Sequence, residues 1–357
     1  MKILVLCLPA IGDGLMATPT IRVLRRNFPR AEIDVACMMK GVQYVFKNNP
    51  YINNVFFLSI FKNNSLKGLF QLLNLRRKKY DISILTFPSY RREYHWVQAV
   101  IGAKRRIAHV FSTGYWIEFN FLNTDFVSVD EASHNVINNL NLVYALDIDW
   151  RSYTTERKTR YVLKLDSEDV EFGQKYINNL EWKKKHVVAI HPGSTNSPAA
   201  ILRRWPTERY AEVAKHLIKK GFKIIIFAGP EEQATGEKLK LLISSRCCHV
   251  VNDVTFNQSL GILKQVRLLI CNDNGFGHLA NALGVRIVTL WASTNDKLSL
   301  PYNKRLVILV RAPKFIPWYS YVLKRSIPKG ASGGMDTIKV DDVINAVHKS
   351  LANIHPS

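Results

Sequence analysis

Asp273, Asn274, Gly275 and His278 fall in one short stretch, Cys271-Asn272-Asp273-Asn274-Gly275-Phe276-Gly277-His278-Leu279-Ala280-Asn281-Ala282-Leu283-Gly284, whose residue types suit the binding of an anion. An apolar run of strand length (266–270) precedes it and another (285–290) follows, with one short helix expected between them. Strand, polar Gly-rich turn, helix, strand is a βαβ unit, the building block of a parallel sheet. The turn is expected to leave backbone N–H groups and the positive end of a helix at one spot, where a phosphate would be held. Asp273, Asn274 and His278 add side-chain hydrogen bonds there; the plainer reading of His278 is a helix-face histidine satisfied by backbone.

Other polar groups stand at turns of the same kind. Gly12-Asp13-Gly14 follows the first apolar run, where glycines let a backbone approach a ligand closely. The pattern is not Gly-x-Gly-x-x-Gly, so a dinucleotide site is not indicated, and Asp13 reads equally as a helix cap. Ser194 and Thr195 follow His191-Pro192-Gly193 and offer hydroxyls, or are ordinary turn residues. Arg203 and Arg204 precede Trp205, and Glu231 and Glu232 follow Gly229-Pro230, where an acid also suits a helix N-terminus.

The elements that must position these groups alternate regularly. Strands are expected at 2–8, 33–37, 55–58 and 82–87, with helices at 15–27, 66–78, 91–101 and 132–146. A polar stretch at 149–160 suggests a linker. A helix at 167–180 with Ser167 as its cap then leads into strands at 186–190, 223–227 and 248–251, helices at 207–220 and up to 244, and the unit described first. This indicates α/β architecture with two Rossmann-like domains, 1–165 and 166–338, and an amphipathic C-terminal helix in 339–357. Two such domains facing across a cleft would bind ligands at the carboxyl ends of their strands, which selects the loops 9–14, 191–205, 228–232 and 271–278.

With 357 residues the chain can bury a large core. No uncharged apolar run reaches ~18 residues, so a spanning helix is not expected. The apolar start passes into Gly12-Asp13-Gly14 without a small-residue cleavage site, which reads as a first strand rather than a signal peptide. Five cysteines without Cys-x-x-Cys spacing form no disulfide framework or zinc signature, and a reducing, cytoplasmic location is the default. Fifty Lys and Arg against 28 Asp and Glu, a net charge of +22, favour an anionic partner. With no recognisable nucleic-acid-binding motif, nucleic acid is not expected to be that partner.

The motifs together resemble the lipopolysaccharide heptosyltransferase family, glycosyltransferase family 9, with the two-domain GT-B fold. The matching pieces are Gly12-Asp13 followed by Thr18-Pro19, Gly102-Ala103-Lys104-Arg105-Arg106-Ile107, His191-Pro192-Gly193 with Arg203-Arg204-Trp205-Pro206, Gly229-Pro230-Glu231-Glu232, and 273–284. The resemblance implies an inverting transfer of heptose from ADP-heptose to the lipopolysaccharide inner core, without a metal or other cofactor. Asp13 matches the family's base, and Asp273, Asn274, Gly275 and His278 the turn that holds the donor diphosphate. Arg203 matches a basic residue near the phosphates, with Arg204 as the alternative. Glu232, or Glu231, matches the ribose contact, and Ser194 and Thr195 lie beside the diphosphate. The acceptor implied is lipid-linked and acidic. That makes Gly12 and the basic runs 76–79, Arg91-Arg92 and Lys104-Arg105-Arg106 candidates for acceptor and anionic inner-membrane contact in a peripheral enzyme of a Gram-negative-type cell. The aromatic and cationic segment 314–325 is a further candidate for the bilayer interface. Asn274 stands where Ser or Thr is usual, Trp291-Ala292 where Phe-Gly is usual, and 294–296 lacks a common proline. Another donor sugar, or another acceptor such as a protein, is one alternative, and a non-catalytic anion-binding module at the membrane surface is the other.

Overall fold

The computed structural model describes residues 1–60, 65–111, 116, 118–152, 154–155, 159–183, 186–194, 198–292, 294–313 and 334–352. The chain divides into two compact units, 1–164 with 297–302, and 165–296 with 303–357.

Among the described residues the first unit holds six strands: β1 Lys2–Leu6, β2 Glu32–Cys37, β3 Asn54–Phe57, β4 Ile82–Leu85, β5 Arg105–Val110 and β6 Asp125–Ser128. They pair in parallel in the order β3-β2-β1-β4-β5-β6. The second unit holds β7 Val187–His191, β8 Lys223–Phe227, β9 Cys248–Val251, β10 Leu268–Asn272, β11 Arg286–Trp291 and β12 Val307–Arg311, in the order β12-β11-β10-β7-β8-β9. Counted from its own first strand, the second sheet has the order of the first, the doubly wound Rossmann arrangement. The strand order reverses between β1 and β4 in one sheet and between β7 and β10 in the other, and the carboxyl ends at such a reversal are where open α/β sheets bind their ligands.

The central strands β1, β7 and β10 are apolar almost throughout because helices cover both faces, the rule for parallel sheets. Helix Val340–Ala352 packs on helix Thr207–Lys219 and on β11 and β12, within the second unit. Helices Ser167–Asn179 and Phe256–Leu263 meet glycine to glycine. A Cβ on Gly261 would lie 1.8 Å from the Asp169 carbonyl oxygen, and one on Gly173 would lie 2.1 Å from the Gly261 carbonyl group.

Several elements differ from the expectation. Strands β5, β6 and β12 were not foreseen. β5 opens with Arg105-Arg106 and contains His109, and β6 is a short edge strand whose burial alternates. The first helix begins at Ile11, not Leu15, so Gly12-Asp13-Gly14 forms its first turn. Glycine is used at 14 for packing, since a Cβ there would meet Val42 at 3.0 Å. Pro19 lies inside that helix and removes the amide that would bond Leu15, but the Thr18 hydroxyl donates to the Leu15 carbonyl at 2.7 Å instead. Thr18 Oγ1 also accepts the Val162 amide at 2.9 Å, so Thr18-Pro19 is a structural joint. Residues 132–146 form an α-helix only over Asn135–Asn141, followed by a 3₁₀ turn at Leu142–Leu146, and the cap of the helix expected at 167 is Asp166.

Candidate active site

In the second unit, the carboxyl ends of β7 and β10 carry a continuous polar network. Asn272, fully buried at the last position of β10, ties the neighbouring loops together. Its Oδ1 accepts from the Trp205 amide at 3.1 Å and the Tyr210 hydroxyl at 2.9 Å, while its Nδ2 donates to the Pro192 carbonyl at 2.7 Å. Asp273 Oδ2 accepts from Arg203 Nη1 at 3.0 Å and from the Thr294 hydroxyl at 2.6 Å. The acid therefore holds the guanidinium in place, and Thr294, in the segment that lacks the usual proline, completes the pair.

Asn274 caps helix Gly275–Ala282: its Oδ1 accepts the amides of Phe276 at 3.0 Å and Gly277 at 3.2 Å. Two N–H groups expected to be open to an anion are thus taken by the asparagine side chain, because an Asn cap satisfies the orphan donors of a helix start. Asn274 Nδ2 donates to the Gly193 carbonyl and to His191 Nδ1, both at 3.0 Å. His191 stacks on Phe276 with ring centroids 4.6 Å apart, and its Nε2 faces Glu232 Oε2 at 3.3 Å. Glu232 also accepts the Gly229 amide at 3.1 Å. Burial would raise the Glu232 pKa, but His191, the Gly229 amide and the Arg204 charge outweigh it and hold the carboxyl below its usual range. Its carboxyl group rests on Gly193, where a Cβ would come within 2.3 Å of it.

His278 is buried, and burial pushes its pKa down to about 4 against the opposing pull of Asp273, so it is neutral at pH 7. Ser194 is buried as well. Its hydroxyl donates to the Ala200 carbonyl at 2.8 Å and accepts from Arg204 Nε at 3.0 Å, the turn-fixing alternative. Arg204 is thereby committed to the loop, and Arg203 is the guanidinium beside Asp273. Thr195 and the segment 314–325 lie outside the described residues.

In the first unit, Asp13 occupies the third position of helix Ile11–Asn27 at the carboxyl end of β1. It is not the cap: Ala10 is, and Ala10 has no side chain to bond the first amides, which include that of Gly12. Asp13 is buried, and its charge reaches Tyr94, whose hydroxyl burial holds protonated against the opposing pull of Arg91, with Asp13 adding a smaller push the same way. Arg91 caps helix Arg92–Ile101 and lies over the Tyr94 ring at 5.4 Å, which places it on the Asp13 side of the sheet. Arg92 lies 5.6 Å from the Phe119 ring.

Lys104 and Arg105 do not join them. They stand at the amino end of β5, away from the edge that holds Asp13, and pair with Asp81 at 2.8 Å and Asp125 at 2.6 Å. Arg106 bonds the Leu122 and Ala103 carbonyls. This run is basic because it braces the start of the sheet. Asp147-Ile148-Asp149 has an Asp-x-Asp spacing, yet both acids are exposed and the pair turns the chain, with Asp147 left-handed at φ 56° and Asp149 accepting the Arg151 amide.

The model of glycosyltransferase family 9 (heptosyltransferase) matches residues 73–315 of this chain. The chain is a family 9 glycosyltransferase. Lipooligosaccharide heptosyltransferase 2 of Haemophilus ducreyi is 22% identical over 100% of the chain and 96% of its own length. Lipopolysaccharide heptosyltransferase 2 of Salmonella typhimurium is 23% identical, covering 99% of each. Among solved structures, a family 9 glycosyl transferase from Veillonella parvula superposes with a TM-score of 0.82 at 22% identity, covering 99% of this chain and 98% of that one. The ADP-heptose heptosyltransferase II of E. coli gives 0.73 at 20% identity over 98% of each chain. The two doubly wound units are therefore those of the GT-B fold.

In this glycosyltransferase the site also includes His191, which the motifs contain without a role, and Asn272 and Thr294, which they do not contain. Asn272 directly precedes the Asp273 turn, and a polar residue ending an apolar strand is the signal that would have found it.

Proposed function

We propose that this glycosyltransferase moves heptose from ADP-heptose to the inner core of lipopolysaccharide with inversion at the anomeric carbon. The observation that carries the reading is the cluster at the ends of β7 and β10, which sets a guanidinium, a carboxylate and a helix start side by side. Arg203, oriented by Asp273, would stabilise the charge that develops on the leaving nucleoside diphosphate. Gly275 would supply the helix-start amide that the Asn274 side chain does not take, and neutral His278 a hydrogen bond without adding charge. Glu232, kept ionised, suits the two hydroxyls of a ribose. Thr195 is proposed beside the diphosphate, with Ser194 shaping its turn.

Asp13 is proposed as the base that takes the proton of the attacking acceptor hydroxyl. The first turn of a helix favours the ionised carboxylate, so the proton moves late, as the new bond forms. Gly12, Arg91 and Arg92 are assigned to the acidic acceptor, which reaches a peripheral enzyme at an anionic inner-membrane surface. The relatives bearing heptosyltransferase names over the whole chain support this substrate pair. Among the described residues no helix is long and apolar enough to cross a membrane.

Incubation with ADP-heptose and core acceptor tests the reading, with release of ADP as the readout. Asp13→Asn is expected to lower the rate by ~10²- to 10⁴-fold, the usual worth of a general base. The variant should keep the donor-induced rise in melting temperature, because donor binding stabilises the folded state without the base. Parental turnover in Asp13→Asn would remove the base assignment. A different nucleotide sugar giving the only stabilisation and turnover would replace the donor.

A further inference from the structure

Helix Ser65–Arg77 carries apolar side chains on two opposite faces. Gly68, Leu72 and Leu75 point into the first unit, where Leu72 and Leu75 join a core that includes Tyr94, Val97 and Ile101. On the other side, Leu66, Leu69, Phe70 and Leu73 stand at the i, i+3, i+4, i+7 spacing of one helical stripe, 79%, 47%, 59% and 40% exposed. Covering a core needs only the first face. A second, unburied stripe costs solubility and in a monomeric protein marks a surface that meets something apolar.

The charges around the stripe select the partner. From Ser65 to Tyr80 the sequence contains Lys67, Arg76, Arg77, Lys78 and Lys79 and no acid. Lys67 and Arg76 border the stripe along its two sides and Arg77 extends it, all three exposed. Lys78 is engaged by Glu32 and Asp34, both at 2.9 Å, and Lys79 is exposed beyond it. The adjoining helix Arg92–Ile101 presents Trp96, 55% exposed, a residue type that favours the bilayer interface. A narrow apolar ridge between cations matches an anionic phospholipid surface, whose acyl boundary takes the ridge while its headgroups take the cations.

We propose that helix Ser65–Arg77 is the membrane-docking element of this protein, lying in the interface of an anionic bilayer with Leu66, Leu69, Phe70 and Leu73 inserted. The choice of a lipid partner rests on the proposed function, and the inference deepens that reading by locating the attachment and making part of it apolar. Attachment then has two components. The cationic one is screened by salt, whereas the inserted one is not.

Flotation of the full chain with vesicles of phosphatidylglycerol and phosphatidylethanolamine, against phosphatidylcholine alone, tests it. The protein is expected to float with the anionic vesicles, and part of the bound fraction is expected to survive about 0.5 M salt. The double substitution Leu69→Gln, Phe70→Gln should weaken flotation about tenfold or more and abolish the salt-resistant fraction. Its melting temperature should not move, since both side chains face solvent. The triple substitution Lys67→Gln, Arg77→Gln, Lys79→Gln should remove the salt-sensitive fraction instead. Absence of binding by the parent, or parental binding by the double variant, would overturn the proposal. So would a dimer in light scattering that the double variant dissociates without any effect on flotation. Transfer to a delipidated, soluble acceptor should proceed at the parental rate in the double variant. If no form of the protein turned over, the transferase reading would fail and the flotation result would still stand.

Discussion

At the scale of single residues, the amide of Asn274 fixes which ring nitrogen of His191 accepts a hydrogen bond. Its oxygen faces two backbone amides, so its NH₂ group must face His191 Nδ1, which therefore accepts. The proton of His191 is then on Nε2 and is donated to Glu232, 3.3 Å away. One ring thus orients both the cap of helix Gly275–Ala282, assigned to the diphosphate, and the carboxylate assigned to the ribose. His191→Phe keeps an aromatic ring against Phe276 but deletes both hydrogen bonds. A charge-assisted bond is worth about 1.5–3 kcal/mol, so the KM for the nucleotide sugar should rise about tenfold or more. The kcat should change little, because neither bond reaches the proposed base. Steady-state kinetics with varied donor measure this split, and an unchanged KM would show that Glu232 and Asn274 hold their places without the histidine.

The packed elements show where sequence reading succeeds and where it stops. Helices Ser167–Asn179 and Phe256–Leu263 are held close by Gly173 and Gly261, and a methyl group at 261 would lie 1.8 Å from a carbonyl oxygen. Such a contact cannot be relieved by turning a side chain, so the helices must separate. Gly261→Ala should cost about 3 kcal/mol, the upper part of the range for overpacking, and lower the melting temperature by several degrees. An unshifted thermal melt would show that the interface yields freely. Neither glycine has a local signature; the close approach exists only when residues about ninety positions apart are brought together. The same limit explains the first helix, where Gly12-Asp13-Gly14 reads as loop until Val42 is seen against Gly14. It also explains Lys104 and Arg105, whose charges look free until Asp81 and Asp125 are found beside them. Apolar strands such as β7, β8 and β10 were legible because burial on both faces leaves them without polar interruptions. The 273–278 turn was legible because its polar residues and glycines fall within six positions between two apolar runs, but the capping role of Asn274 was not.

At the scale of the whole molecule, the buried histidines set how stability responds to acid. His109 is fully buried, with Nε2 2.9 Å from the Asn138 carbonyl and Nδ1 3.2 Å from the Ser89 hydroxyl. The carbonyl can only accept, so Nε2 carries the proton and Nδ1 receives the hydroxyl. Burial pushes the pKa of His109 down to about 4, as it does for His278, and it lowers that of His95 as well. In the unfolded chain a histidine titrates near 6.5. Between these values the unfolded state binds protons that the folded state refuses. The stabilisation is therefore complete above pH ~6.5 and lost progressively as the pH falls toward 4. Each such histidine contributes a slope of up to about 1.4 kcal/mol per pH unit. Asp81, Asp125 and Glu208, held below their usual range chiefly by bonds from Lys104, Arg105 and Lys238, act in the opposite part of the scale. Their folded forms stay ionised where the unfolded carboxylates begin to protonate, so their loss begins only near pH ~4. Urea unfolding at intervals from pH 7.5 to 4.5 should show stability falling below pH ~6.5. His109→Gln should make that fall shallower, and a flat profile across the window would mean that these rings take up protons without unfolding the chain.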